Sequence, residues 1–356
     1  MKTHLCRPLF LSEQAAGSRI RKGCWNMKRR MKSAGMVLLA AGLFFSGCAQ
    51  TSSDSAQEQE KAQTAQSETV AFTDDLGREI TVEKPKRTAI LIGSFADEWI
   101  EAGGRDSLVA AAHDTFTNFE PENPDTIADL GEVKSINTEQ LIASEPDLVI
   151  ASAKNESQKD LKNQLDQAGI PVAYFDVSDF DDYLRTLKIF TDLTGDQDAY
   201  EKYGVSQQEA IDQAIAERKD TDPLRVLYIR ATGSSIKSKN SKGSVLGEML
   251  SDLNTENIAD AEDGLLEDLS AEAILNEDPD AIFIVYQGSD DSKARKNLDS
   301  SLMSQEAWNE LSAVRNNQVY VMDQKLYNLK PNSEWAKAYQ DLADQLDQAK
   351  SHEEKQ

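Results

Sequence analysis

The sequence predicts an α/β protein of two similar wound lobes, and three observations carry that expectation. The stretch Glu139–Ile150, EQLIASEPDLVI, returns as Glu272–Ile284, EAILNEDPDAIFI. Each copy sets a Glu ahead of a Pro-Asp pair, places an apolar pair between them (Leu141-Ile142, Ile274-Leu275) and follows the Asp with an apolar run. Those runs, Leu148–Ile150 and Ala281–Ile284, are continuous and of strand length, the pattern of parallel strands covered on both faces. The order strand, helix, strand that precedes the first copy is that of a wound lobe.

Within each copy the simplest reading is helix, stop, buried strand. Asn137 and Ser270 are N-cap types whose side-chain oxygens accept from free N–H groups of the first turn. Glu139 and Glu272 then sit in that first turn, where the helix dipole favours a carboxylate. Pro146 and Pro279 end the helices, since proline removes a donor and pushes the preceding residue out of the α region.

Residues 1–47 read as an upstream extension followed by a secretory signal, with the true start at Met27 or Met31. From Met27 the chain runs MKRRMKSAGMVLLAAGLFFSGC: a basic start, an apolar run too short for a comfortable membrane span, and small residues before Cys48. Phe45-Ser46-Gly47-Cys48 resembles a bacterial lipobox, so Cys48 is the expected lipidation site. Residues 48–69, rich in Ser, Gln, Thr, Glu and Ala, are expected to be a lipidated, disordered tether.

The first lobe is expected over 70–178. It opens with two short strands around the Asp74-Asp75-Leu76-Gly77 turn, then a buried strand to Ile92. A helix over Phe95–Ala102 follows, stopped by Gly103-Gly104, and then a strand over Leu108–Ala112. Ligands approach the carboxyl ends of strands in such lobes, which places Ser94, Phe95, Trp99, His113 and Phe116 near a site; Trp99 serves equally as core. Residues 179–220 read as linking helices. Apolar spacing from Phe180 to Leu193 ends at a Gly195 cap, and a stretch over 196–218 is long enough, at roughly 30 Å, to cross between lobes. A helical crossover is stiffer than a loop, so large hinge closure is disfavoured. The second lobe, 221–349, starts with a strand from Leu224 ending at Arg230. A Gly/Ser/Lys loop carrying Lys237, Lys239 and Lys242 comes next, and it lacks phosphate-loop spacing. Pro331 and Asn332 or Ser333 start a last helix bearing Trp335, Tyr339 and Leu342, and 350–356 is a polar tail.

Composition narrows the function. Beyond residue 47 there are 29 Lys and Arg against 61 Asp and Glu, a balance of −32. That charge repels nucleic acid and anionic membrane surfaces, so no nucleic-acid partner is expected. No Cys follows Cys48, which leaves no disulfide, thiol nucleophile or Cys metal cluster in the folded part. Only His113 and His352 remain as imidazoles beyond the signal, and no HExxH, GxSxG or GxGxxG occurs, so the protein is not read as an enzyme and no direct metal site is expected.

The opening FTDDLGREITVEKPKR, the two E-x6-PD units, the helical crossover and the close LKPNSEWAKAYQDLADQL together resemble the solute-binding lipoproteins of ABC importers for iron-siderophore, haem and cobalamin. The resemblance runs from about Val70 to Leu346. It implies two Rossmann-like α/β lobes joined by a long α-helix, a ligand cleft between them, and one exposed Glu per lobe, here Glu139 and Glu272, docking a permease that works with its ATPase. The expected carrier is a lipid-anchored monomer on the extracytoplasmic face, with no intrinsic cofactor, whose cargo is an iron chelate; haem or cobalamin, or a sensor or adhesion role without a permease, are the alternatives. Expected ligand contacts are Trp99, His113 and Phe116 in the first lobe and Arg230, Lys237, Lys239, Tyr286 and Tyr327 in the second. Arg230 leads, because guanidinium pairs with carboxylate or catecholate oxygens and stacks on rings.

Overall fold

A computed structural model describes residues 69–261, 270–288 and 291–353; the expected signal segment, Cys48 and the tether up to residue 68 lie outside the described residues. β1 (Thr69–Thr73) and β2 (Glu79–Glu83) form an antiparallel hairpin. Asp74 closes its turn, accepting from the backbone N–H of Leu76 and Arg78, and its other oxygen takes the Tyr174 N–H at 3.2 Å. The turn that reads locally as a hairpin signal therefore also pins the hairpin to the first sheet.

That sheet is parallel, in the order β5-β4-β3-β6-β7. Its strands are β3 (Thr88–Ile90), β4 (Leu108–Ala111), β5 (Ala128–Asp129), β6 (Leu148–Ser152) and β7 (Val172–Phe175). The second sheet runs β10-β8-β11-β12, also parallel, from β8 (Leu224–Ala231), β10 (Thr255–Asn257), β11 (Ala281–Tyr286) and β12 (Val319–Met322). β6 and β11 are buried at every position, as continuous apolar runs require. One correction concerns the segment read as a Gly/Ser/Lys loop. Ile236–Lys239 is a strand, β9, antiparallel to β8, so Lys237 and Lys239 sit on a hairpin.

The repeated unit folds the same way twice. Helix α1 (Gly93–Trp99) follows β3; α2 (Thr138–Ala143) and, later, its counterpart Ala271–Glu277 lead into β6 and β11. Asn137 accepts from Gln140 N and Ser270 from Ala273 N, both at 3.1 Å. The residue before each proline, Glu145 (φ 47°) and Asp278 (φ 40°), is left-handed and turns the chain out of the helix. The Asp of each Pro-Asp pair then ties the unit to the central strand of its sheet. Asp147 accepts from the N–H of Lys86 and Arg87, and Asp280 from that of Arg225. In return Arg87 donates to the Ser144 and Glu145 carbonyls, and Arg225 to that of Glu277, capping each helix with a cation at its negative end.

α3 (Phe180–Thr194), capped by Asp179 and ended by left-handed Gly195, leads to a continuous helical stretch over 197–218 whose last part is α4 (Ser206–Arg218). The two pack closely at Gly204, where a Cβ would lie 2.8 Å from Leu184 Cδ2. α5 (Val245–Asp252) and α6, the counterpart helix Ala271–Glu277 already described, belong to the second lobe, and α7 (Trp335–Glu353) closes the chain. Buried Arg218 fastens α4 to the second lobe, donating to Leu253 O at 3.0 Å and pairing with Asp347. One apolar core runs through both lobes: Phe95, Trp99, Phe175 and Phe190 continue through Phe180 and Tyr183 to Trp335, Tyr339 and Phe283. The ring centroids of Phe180 and Trp335 are 5.9 Å apart.

Candidate functional site

In each sheet the chain winds outward in both directions from its first strand, so the switch points lie at β3/β6 and β8/β11. Crevices outside the carboxyl ends of strands at such points are where α/β sheets bind ligands. Here the carboxyl ends of both sheets border the same cavity, of about 190 Å³. Ile92, Phe95, Ser152, Lys154 and Phe175 line it from the first lobe, and Arg230, Ser244, Asn328, Leu329 and Lys330 from the second. Beside it a larger cavity of about 670 Å³, sharing Leu329, lies between Thr117 and Asn118 on one side and Tyr286, Arg295 and Lys325 on the other.

Backbone geometry holds the first-lobe wall in place. Gln158, fully buried, accepts from Ser152 N at 2.8 Å and donates to Leu91 O at 2.6 Å, clamping the ends of β3 and β6 together. Gly93 N donates to Asp114 Oδ1 at 2.9 Å, and a Cβ at Gly93 would lie 2.8 Å from the Asp114 and Thr115 backbone, so only glycine fits there.

Three cations, Lys154, Arg230 and Lys330, and one carboxylate, Asp176, line the smaller cavity. Lys154 bridges the lobes, reaching Ser178 Oγ at 2.7 Å, Asp176 Oδ1 at 3.0 Å and the Gly243 carbonyl at 3.1 Å. Arg230 lies over the Tyr228 ring and donates to the Tyr228 hydroxyl at 3.0 Å. The Lys330 ammonium stands 5.1 Å from the Phe95 ring centre. Burial lowers the Lys330 pKa, with Asp176 and Glu98 opposing. Lys239 is also lowered, by burial first and then by repulsion from Arg230 and Lys154, which places three of these cations within electrostatic reach of one another. Two lining groups, Ser244 Oγ and Asn328 Oδ1, are buried with no hydrogen-bond partner in the protein. Buried polar groups are ordinarily satisfied, so these are open to a bound molecule.

The candidate residues divide. Arg230 lines the smaller cavity, Tyr286 the larger, and Lys239 stands half-buried beside Arg230. Phe116 packs partly buried against the core. Trp99 is a correction: it is fully buried, its Nε1 donating to Gly104 O at 2.9 Å, and its ring packs on Phe190. Tyr327 is another, since its hydroxyl donates to Ala338 O at 3.0 Å inside the second lobe. Lys237 is exposed on β9 and lines neither cavity. His113 is engaged by Asp129, Nδ1 to Oδ2 2.7 Å, and this hydrogen bond raises its pKa. Lys154, Lys330, Arg295 and Lys325 were not singled out by the sequence, because each reaches the cleft from a loop or helix with no local signature. Glu139 and Glu272 are both exposed on their helices. Among the described residues no group of three or more His, Cys, Asp or Glu is arranged to hold a metal ion.

Comparisons with known proteins agree with this architecture. The chain is 23% identical over 296 residues to YhfQ of Bacillus subtilis (strain 168), covering 78% of this chain and 88% of that protein, whose name places it among ABC transporter substrate-binding lipoproteins. It is 26% identical over 205 residues to the vitamin B12-binding protein of Pectobacterium atrosepticum, covering 56% of this chain and 71% of that one. Among solved structures, Staphylococcus aureus SirA complexed with staphyloferrin B superposes with a TM-score of 0.61 at 23% identity, over 78% of this chain and 99% of that one. Two wound lobes facing each other across a cleft, and a family profile matching residues 89–326, together show that the chain belongs to the periplasmic binding protein family.

Proposed function

We propose that this protein captures an anionic iron chelate of the siderophore class in its inter-lobe cleft and delivers it to an ABC importer. The observation that carries this reading is the gathering of Lys154, Arg230 and Lys330 around one cavity, with Lys239 beside them, in a chain that is otherwise strongly acidic. A surface of that charge repels an anion, so a local cationic cleft gives such a ligand a favourable approach. The unpaired Ser244 and Asn328 oxygens suit a ligand that also offers hydrogen-bond donors. A relative named for vitamin B12 and a neighbour solved with staphyloferrin B support a bulky chelate as cargo.

Haem is the second reading, favoured by one observation: Tyr286 and Arg295, 5.6 Å from ring centre to guanidinium carbon, line the larger cavity with Lys325. A phenol with flanking cations suits a ferric macrocycle bearing carboxylates. The full chain, purified in detergent, should be examined by absorption and mass spectrometry for copurifying chelate, then titrated with ferric siderophores, haemin and cobalamin. A siderophore response supports the proposal. A Soret band with haemin binding and no siderophore response supports haem, and silence towards all three overturns the carrier reading.

In this reading Glu139 and Glu272 dock the permease from equivalent positions in the two lobes, and Cys48 carries the lipid that holds the protein outside the membrane. Two acyl chains on one Cys would meet the requirement for stable anchoring. Cys48→Ala should release the processed protein from the membrane fraction; retention at wild-type levels would contradict the anchor.

A further inference from the structure

Directly behind the cleft, α1 and the turn after it carry Asp97, Glu98 and Glu101, where the first lobe meets the strap 331–335 of the second. Asn332 is fully buried at left-handed φ 49°, and its Nδ2 donates to Ser94 O at 3.0 Å and Asp97 Oδ2 at 2.7 Å. Ser333 Oγ donates to Glu101 Oε1 at 2.5 Å. From behind, Gln207 of α4 holds the same strap, donating to Asn332 O and accepting from Ala336 N. The segment that leads into the strap lies in the cleft, where Asn328, Leu329 and Lys330 line the smaller cavity.

Glu98 is fully buried and neither of its carboxyl oxygens has a partner; Glu101 Oε2 and Asn332 Oδ1 are likewise buried and unpartnered. An isolated carboxylate in such surroundings is costly, and the ordinary response is to hold a proton. Burial raises all three carboxyls: Asp97 above its usual value, Glu98 well above, and Glu101 to about 7. The groups facing the cluster are Lys325, Lys330 and Glu334 from the strap and its approach, Tyr183 and Arg185 from α3, and Lys202 from the helical stretch before α4.

We propose that Asn332, Ser333 and the Asp97–Glu98–Glu101 cluster are a proton-dependent mooring that positions Lys330 in the cleft, seated while the carboxyls hold protons and loosened as they lose them. Asn332 and Ser333 donate to Asp97 and Glu101 and so favour the charged carboxyls, but burial outweighs both donors. Loss of protons would then set two or three like charges against one another in one buried turn, and opening the strap to water is the relief. The sign follows from linkage. Groups whose native pKa is raised contribute stability that is full below their unfolded values and is lost as pH rises through the native ones, here through about 7 for Glu101. The contacts of the mooring rest on geometry, its proton dependence on the burial of carboxyl oxygens without partners, and only its effect on ligand rests on the function proposed above.

The test uses the full chain without ligand, in detergent, from about pH 5 to about pH 9. In the wild type the melting midpoint should fall and amide exchange over 328–335, corrected for its intrinsic pH dependence, should rise across this window. The double variant Glu98→Gln/Glu101→Gln should have a flatter profile and a higher midpoint at the alkaline end. Glu101→Gln alone, which keeps an acceptor for Ser333, should show part of the effect if the double variant folds poorly. Profiles of wild type and variants that run parallel would overturn the mooring, and would assign any alkaline loss to Lys330 or to overall repulsion. With a hexadentate ferric tris-catecholate as probe, wild-type affinity should weaken about tenfold between pH 6 and 9, one pKa unit of coupling, and that of the variant should not. PH-independent binding alongside a moving midpoint would overturn the positioning of Lys330. A chelate that binds at no pH would contradict the carrier reading and leave the ligand-free result to decide the mooring.

Discussion

At the scale of single residues, the cleft is set by a few cations whose positions were unevenly visible in the sequence. Arg230 was legible because it ends an apolar strand, and the carboxyl end of such a strand faces the crevice. Replacing it with Ala should weaken binding of an anionic chelate by about tenfold to a hundredfold, the loss of a charged hydrogen bond, with little change in melting midpoint; unchanged affinity measured by calorimetry would remove Arg230 from the site. Trp99 was ambiguous because a short helix beside a cleft presents both faces to something useful. The structure resolves it through Gly104, where a Cβ would lie 2.1 Å from Trp99 Nε1. Trp99→Ala should therefore cost roughly 3–5 kcal/mol of stability as a cavity mutation, read from denaturant unfolding. His113, paired with Asp129, should titrate above the ordinary imidazole value by NMR and fall back in Asp129→Asn. Stability from this pair is present at acid pH and is lost as pH rises through the raised value. Both side chains are largely exposed, so the effect on melting should be slight.

At the scale of elements, the repeated unit was the most legible feature because it carries its own punctuation in a dozen residues. Caps, a stop and a buried strand are local signals, and Asn137, Ser270, β6 and β11 follow them. The purpose of the Pro-Asp pair was not legible, since its partners lie far off in sequence. Asp147 reaches back to Lys86 and Arg87, and Asp280 to Arg225. Asp280→Ala should cost about 1–3 kcal/mol by denaturant unfolding, because a part-buried backbone donor at the start of a central strand loses its acceptor, and Asp147→Ala, whose bonds are exposed, about 0.5–1.5 kcal/mol. Values near zero would mean that water replaces the carboxylate freely. β9 was hidden for the same reason, as its pairing with β8 decides its state and its Gly, Ser and Lys neighbours read as a loop.

At the scale of the whole molecule, one core passes from lobe to lobe through the linking helices, so wide opening of the cleft would cost buried apolar contacts. In the proposed reading, the exposed Glu of each lobe docks the permease. Exposed single ion pairs are worth little, ~0 to 1 kcal/mol, so Glu139→Ala/Glu272→Ala should abolish uptake in cells where either single change only reduces it, with chelate affinity intact. Unaltered uptake by the double variant would remove these residues from docking. The claim on which the rest depends is that the cationic cleft selects an anionic chelate. Calorimetric titration of wild type and Lys154→Ala/Arg230→Ala with a ferric tris-catecholate, at low and high salt, tests it most directly. Tight binding by the wild type that weakens with salt, and loses about tenfold or more in the variant, is the expected result. Equal affinity in the two proteins, or preference for an uncharged ligand such as cobalamin, would contradict it.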